Sequence, residues 1–119
     1  MIFSDRLQEI CNRVEGALAA TLVGQDGITV DTYVTNGNID LEALAAELLA
    51  QTQTIARDHR ELEMGELRQL SVTTDKYTVL VSSLVADYSL LLVLSNEGSF
   101  GKARYELRRA LLQFEPDLI

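Results

Sequence analysis

The sequence predicts an α+β fold in the order helix, two strands, helix, three strands, helix, with a five-stranded antiparallel sheet between helices. Apolar residues recur at helical spacing in three segments, which predicts the helices. Five short runs alternate apolar with polar residues or are apolar throughout, which predicts the strands. Turn signals separate the strand runs, and their brevity implies antiparallel neighbours rather than crossovers.

In the first segment Phe3, Leu7, Ile10 and Val14 fall on one side of a helix, with Ser4 and Gly16 suited to cap its ends. Ala17 to Val23 and Ile28 to Val34 flank Gly24-Gln-Asp-Gly27 and read as a β-hairpin, in which Ile28, Val30 and Val34 alternate with Thr29, Asp31 and Tyr33. Asn36-Gly37-Asn38 breaks the strand. Asp40 then caps a long helix running to about Leu62, with Ile39 and Leu44 placed as a hydrophobic staple. Its apolar stripe comprises Leu41, Leu44, Ala45, Leu48, Thr52, Ile55 and Ala56. After Met64-Gly65 come Leu67 to Thr74, Tyr77 to Leu84 and Tyr88 to Leu94. The last run is apolar at nearly every position, as a central strand covered on both faces would be, while Leu67 to Thr74 is polar enough for an edge. Phe100, Ala103, Leu107, Ala110, Leu111 and Phe114 mark a closing helix that Pro116 stops. Helices over both faces of the sheet would bury all these apolar positions.

A chain of 119 residues suits a single domain over 1–119, and 47% hydrophobic with 24% charged residues sets disorder aside. Charges interrupt the N-terminus before an apolar leader can form, and the longest apolar run, Leu90 to Leu94, is far below the roughly 20 residues that span a bilayer. A cytoplasmic protein is expected. A net charge of −8 argues against nucleic acid or an anionic membrane as partner. The charge is unevenly spread: no Lys or Arg lies between Glu15 and Ala56, while Lys102, Arg104, Arg108 and Arg109 crowd one segment. These could face an acidic partner, but basic residues within a helix with Glu106 among them fit a solvated face better.

No catalytic centre, cofactor or metal site is expected. Asn96-Glu-Gly-Ser-Phe-Gly-Lys-Ala103 falls between strand and helix where a phosphate-binding loop would lie. Such a loop needs glycine at Asn96 and a hydroxyl at Ala103, so Gly98-Ser99 reads instead as a flexible turn into a helix. His59 is the only histidine and lines up with the apolar stripe, which suits a structural role. Glu61 and Glu63 belong to the charge run Arg57-Asp-His-Arg-Glu-Leu-Glu63, a solvated helix end. Cys11, the only cysteine, is expected to pack in the core.

Two features leave a monomer incomplete. Ala43, Ala46, Ala50 and Thr54 lie opposite the apolar stripe of the long helix, where a solvated face would show Lys, Glu and Arg. A second element packing closely there would explain this, and so would alanine's helix propensity alone. The Leu67 to Thr74 edge invites strand pairing. Self-association through both features is the economical reading.

Three stretches resemble the Roadblock/dynein light-chain family, in particular its bacterial MglB type: Gly16 to Tyr33 (GALAATLVGQDGITVDTY), Gly65 to Thr74 (GELRQLSVTT) and Phe100 to Arg109 (FGKARYELRR). The resemblance implies a profilin/longin-like αββαβββα sandwich. It also implies a homodimer that joins two sheets through the third strands into one continuous sheet and pairs the second helices. The dimer interface would then hold Ala43, Ala46, Ala50, Leu67, Gln69, Leu70, Ser71 and Val72. By the same resemblance the paired helices offer a platform to a Ras-like small GTPase of the MglA type, exposing Glu42, Glu47, Gln51, Gln53, Thr54 and Arg57. The implied function is non-enzymatic regulation of nucleotide turnover, by activation or exchange, in cell polarity or motility, with catalytic groups left to the GTPase. The alternative is a scaffold or motor-adaptor subunit, since the fold does not fix the partner.

Overall fold

A computed structural model describes residues 2–35 and 37–118. The Asn36 part of the expected strand break therefore lies outside the described residues. The elements are α1 (Ile2–Arg13), β1 (Ala17–Val23), β2 (Thr29–Val34), α2 (Leu41–Glu61), β3 (Gln69–Thr73), β4 (Tyr77–Ser83), a 3-10 turn (Val85–Asp87), β5 (Ser89–Ser95) and α3 (Phe100–Leu118). The five strands form one antiparallel sheet in the order β2-β1-β5-β4-β3. The predicted fold class is the one observed.

β5 is the central strand because it can be buried on both faces. Leu90, Leu92 and Leu94 enter a core with Leu7, Ile10, Val14, Leu107 and Phe114, while Leu91 and Val93 enter a second core with Leu41, Ala45, Leu48 and Leu49. So α1 and α3 cover one face and α2 the other. Cys11 is buried in the first core as expected, and burial pushes its thiol up to about 11 against the lowering effect of a hydrogen bond with Thr35. Asp40 caps α2, its Oδ1 accepting from the Ala43 amide at 3.1 Å, and Ile39 and Leu44 both pack against the second core.

Three local expectations are corrected. Ser4 does not cap α1, because the helix begins at Ile2 and Ser4 lies within it. Packing sets that first turn: Phe3 stacks on Phe114 with centroids 5.8 Å apart, and Arg6 binds the Gln113 carbonyl and Asp117. Pro116 does not stop α3, which continues to Leu118. The carbonyl that loses its intrahelical donor belongs to Leu112, a residue 75% exposed, so water can satisfy it. Burial of every apolar run also fails at β2. Register with β1 places Asp31 opposite Leu22 and Tyr33 opposite Ala20 on the α1 face, leaving Val30 and Val34 toward the α2 side. There α2 does not reach the sheet's last strand, and Ile28, Val30 and Val34 stand 67%, 44% and 47% exposed.

The turns meet where the sequence offers glycine. Gly16 sits at φ +84, and a Cβ there would fall 2.4 Å from the Gly98 Cα. The stretch suspected of resembling a phosphate loop is thus the junction of two turns. The Ser99 amide donates to the Glu15 carbonyl, and Ser99 Oγ accepts from the Lys102 amide at the start of α3.

Candidate interaction surface

The surface to weigh is the outer side of α2 together with the open edge of β3. Leu41, Ala45, Leu48, Leu49 and Thr52 are buried against the sheet, and Thr52 satisfies its hydroxyl on the Leu48 carbonyl at 2.6 Å. Leu44, Ile55 and Ala56 complete the predicted stripe as half-buried neighbours. The opposite side is open: Ala43, Ala46, Ala50 and Thr54 are all exposed, as are Glu42, Glu47, Gln51, Gln53 and Arg57. Arg57 Nε lies 4.0 Å from Asp58, an exposed pair of little energetic weight.

The two flanks of α2 meet different parts of the sheet. A Cβ added to Gly27 would sit 3.8 Å from the Ala46 Cα, and Gln53 Nε2 donates to the Gln25 carbonyl at 3.1 Å. Ala46 and Gln53 therefore lean toward the β1–β2 loop. Leu44 shares a depression with Lys76 and Tyr77, at the β3–β4 turn. At about 100° per residue, Gln51 and Ile55 fall within about 20° of Leu44 and share its flank. Ala43, Ala50 and Thr54 face outward between them.

On β3, Leu70 and Val72 point to the α2 side, opposite Val81 and Val79, while Gln69, Ser71 and Thr73 point to the α3 side. Leu70 is half-buried and Val72 is 38% exposed. Leu67 precedes the strand and is half-buried. Leu44, Ile55, Leu70 and Val72 thus form an apolar strip between α2 and the edge. The sequence reading had placed Leu44 and Ile55 wholly in the core. Their position at the margin of the stripe was the available signal.

The basic segment resolves into two parts. Lys102 and Arg109 converge with Arg13 on Glu106, a carboxylate only 3% exposed, at 3.3, 3.2 and 3.9 Å. This cluster ties α1 to α3. Arg104 donates to Gln69 of β3 at 3.0 Å and lies over Phe100, whereas Arg108 is exposed beside Tyr105 and Leu112. His59 is exposed, its Nδ1 2.9 Å from the Ile55 carbonyl, and Glu61 and Glu63 are exposed as expected of a solvated helix end. Among the described residues no three metal-ligating side chains cluster, and no helix is long and apolar enough to cross a membrane.

An αββαβββα sheet with one open edge beside a long, smooth helix defines a class of small docking proteins. Known structures agree on the fold. A Roadblock/LC7 domain from Streptomyces avermitilis superposes with a TM-score of 0.87 at 18% identity, covering 97% of this chain and 96% of that one. Myxococcus xanthus MglB superposes at 0.88 with 14% identity, covering 99% and 95%. MglC from Myxococcus xanthus shares 36% identity over 95% of this chain and 96% of its own, with a TM-score of 0.70. No protein-family model and no curated protein matches the sequence. With that identity over nearly its whole length, the chain belongs to the Roadblock/LC7 family, in its bacterial MglB/MglC branch.

Proposed function

We propose that the chain, a single Roadblock-type domain over 1–119, forms a homodimer through β3 and α2 and regulates a Ras-like small GTPase of the MglA type in the cytoplasm. The observation that carries this is the open side of α2, which is 21 residues long and exposes small side chains beside an unpaired strand. On this reading Gln69, Leu70, Ser71 and Val72 join the two sheets, with Leu67 alongside, while Ala43, Ala46 and Ala50 let the helices approach. Glu42, Glu47, Gln51, Gln53, Thr54 and Arg57 meet the GTPase. The chain contributes no catalytic group; contact with the helix pair alters the GTPase's own nucleotide site. The fold likeness to MglB and the sequence likeness to MglC support the family role.

The test adds purified chain to the Ras-like GTPase encoded nearest to it and follows GTP hydrolysis and nucleotide release. A change in either rate, lost in a Gln51→Ala/Arg57→Ala variant, is the expected result. Binding with both rates unchanged favours the second reading, a scaffold or motor-adaptor subunit. The observation behind that reading is that 36% identity links the chain to MglC, whereas its 14% identity with MglB supports the fold alone.

A further inference from the structure

The edge of the sheet farthest from β3 carries a second unpartnered surface. Val30 and Val34 of β2 and Ile28 of the preceding loop lie on or beside the α2 face and are 44%, 47% and 67% exposed. Single exposed apolar residues need no explanation, but three grouped along one edge strand form a patch. Natural sheets commonly guard such an edge with lysine or proline, and neither occurs between Glu15 and Ala56. That segment instead holds five carboxylates, Asp26, Asp31, Asp40, Glu42 and Glu47, and no cation.

The rest of the molecule carries a surface of opposite charge. On the outer side of α3, Tyr105 and Leu112 are 56% and 75% exposed. With Arg108 they recur three and four residues apart, so the three share one solvent-facing strip. Lys102 and Arg109 are held by the buried Glu106, and Arg104 by Gln69, whereas among the described residues Arg108 has no ion-pair partner. Glu115 is the nearest acid along the same side.

We propose that this strip of α3 docks on the β2 patch of a second copy, setting Leu112 and Tyr105 against Ile28, Val30 and Val34, and Arg108 among the carboxylates. Pairing of two β2 strands is disfavoured, since it would bring two cation-free segments together. Donor and acceptor lie on different surfaces of one chain, so the contact is head-to-tail and does not close on itself. It is separate from the β3 and α2 interface and does not depend on it. Copies already paired through β3 would be linked into longer assemblies.

Sedimentation of the full chain from micromolar to millimolar concentration tests this, at ionic strengths of about 0.01 M and about 1 M, where the screening length is about 30 and about 3 Å. The mean mass should rise about twofold or more above that of the smallest species at low salt, and fall back at high salt. A mass that stays flat with concentration at low salt overturns the proposal without any variant. Val30→Lys/Val34→Lys should remove the acceptor, and Arg108→Glu/Leu112→Glu the donor; each substitutes exposed positions, and circular dichroism confirms the fold. Each variant alone should stay at the smallest species, but their mixture should restore one pairing, because one supplies an intact donor and the other an intact acceptor. Growth of either variant as in the wild type, or a mixture that does not associate, rejects the assignment.

Discussion

The close approach of Gly16 to Gly98 makes a quantitative claim about two turns that the sequence places 82 residues apart. Gly16→Ala would put a Cβ 2.4 Å from the Gly98 Cα, backbone that cannot swing away, at a residue with φ +84. The left-handed backbone costs about 1–2 kcal/mol for a residue with a side chain, and overpacking adds about 1–3. The sum, roughly 2–5 kcal/mol, is a large part of the 5–15 expected for a domain of this size. At about 4 °C per kcal/mol the melting temperature should fall by about 8–20 °C. Gly98→Ala should cost less, since its Cβ would meet the Glu15 carbonyl at 3.1 Å without a positive φ. Gly101→Ala should stabilise by up to about 1 kcal/mol, because nothing lies within 4 Å and the residue is already in α3. Urea unfolding followed by circular dichroism gives all three values, with an unchanged slope as the check on a comparable unfolded state. If Gly16→Ala lies within about 0.5 kcal/mol of the wild type, the two turns do not touch as described.

Three further outcomes follow. Glu106→Gln should cost about 1–3 kcal/mol by weakening charged contacts to Arg109, Lys102 and Arg13, read by urea midpoint; an unchanged midpoint would mean the cluster does not tie α1 to α3. The folded Cys11 thiol, raised from 9.0 to about 11, holds its proton after the unfolded thiol has lost it. Its contribution is therefore fully present below pH 9 and is lost as pH rises through 11; Cys11→Ala should lessen the fall in stability over that window. Finally, Ala50→Arg or Ala46→Arg should convert the proposed dimer to monomer or insoluble protein by light scattering, whereas a normal dimer from both would place the helix pairing elsewhere.

The elements were legible because each is encoded locally. β5 announces its burial on both faces by five consecutive apolar residues, Leu90 to Leu94, and α2 announces its start by Asp40. What was not legible depends on tertiary reach. The alternation in β2 correctly separates Val30 and Val34 from Asp31 and Tyr33, but it cannot say which set meets a helix. In the fold α1 packs over the face holding Tyr33, and α2 stops short of the other, so the more polar set turns inward. Pro116 misled for a related reason: a proline in the last turn costs little when the orphaned carbonyl is on the solvent side. The α2 surface was legible as a list of residues, since the predicted small and polar positions are all exposed. Which flank faces β3 was not, because that depends on where the Gly27 loop packs.

The geometry of β3 also says where the energy of the proposed pairing must lie. Joining two β3 strands restores backbone hydrogen bonds, but on the α3 side it brings together Gln69, Ser71 and Thr73, whose burial yields little hydrophobic gain. Apolar surface is available only on the α2 side, from Val72 and the half-buried Leu70, with Leu44 and Ile55 of the helix flank adjoining. At about 25 cal/mol per Å² these few side chains give a driving force of only a few kcal/mol, so strand pairing alone would be weak and the helices must close over it. Substituting Val72→Asp should then weaken association far more than Thr73→Asp, although both alter exposed neighbours on the same short edge. Equal losses from the two, read as dimer dissociation constants, would shift the weight from the helix side to the backbone ladder.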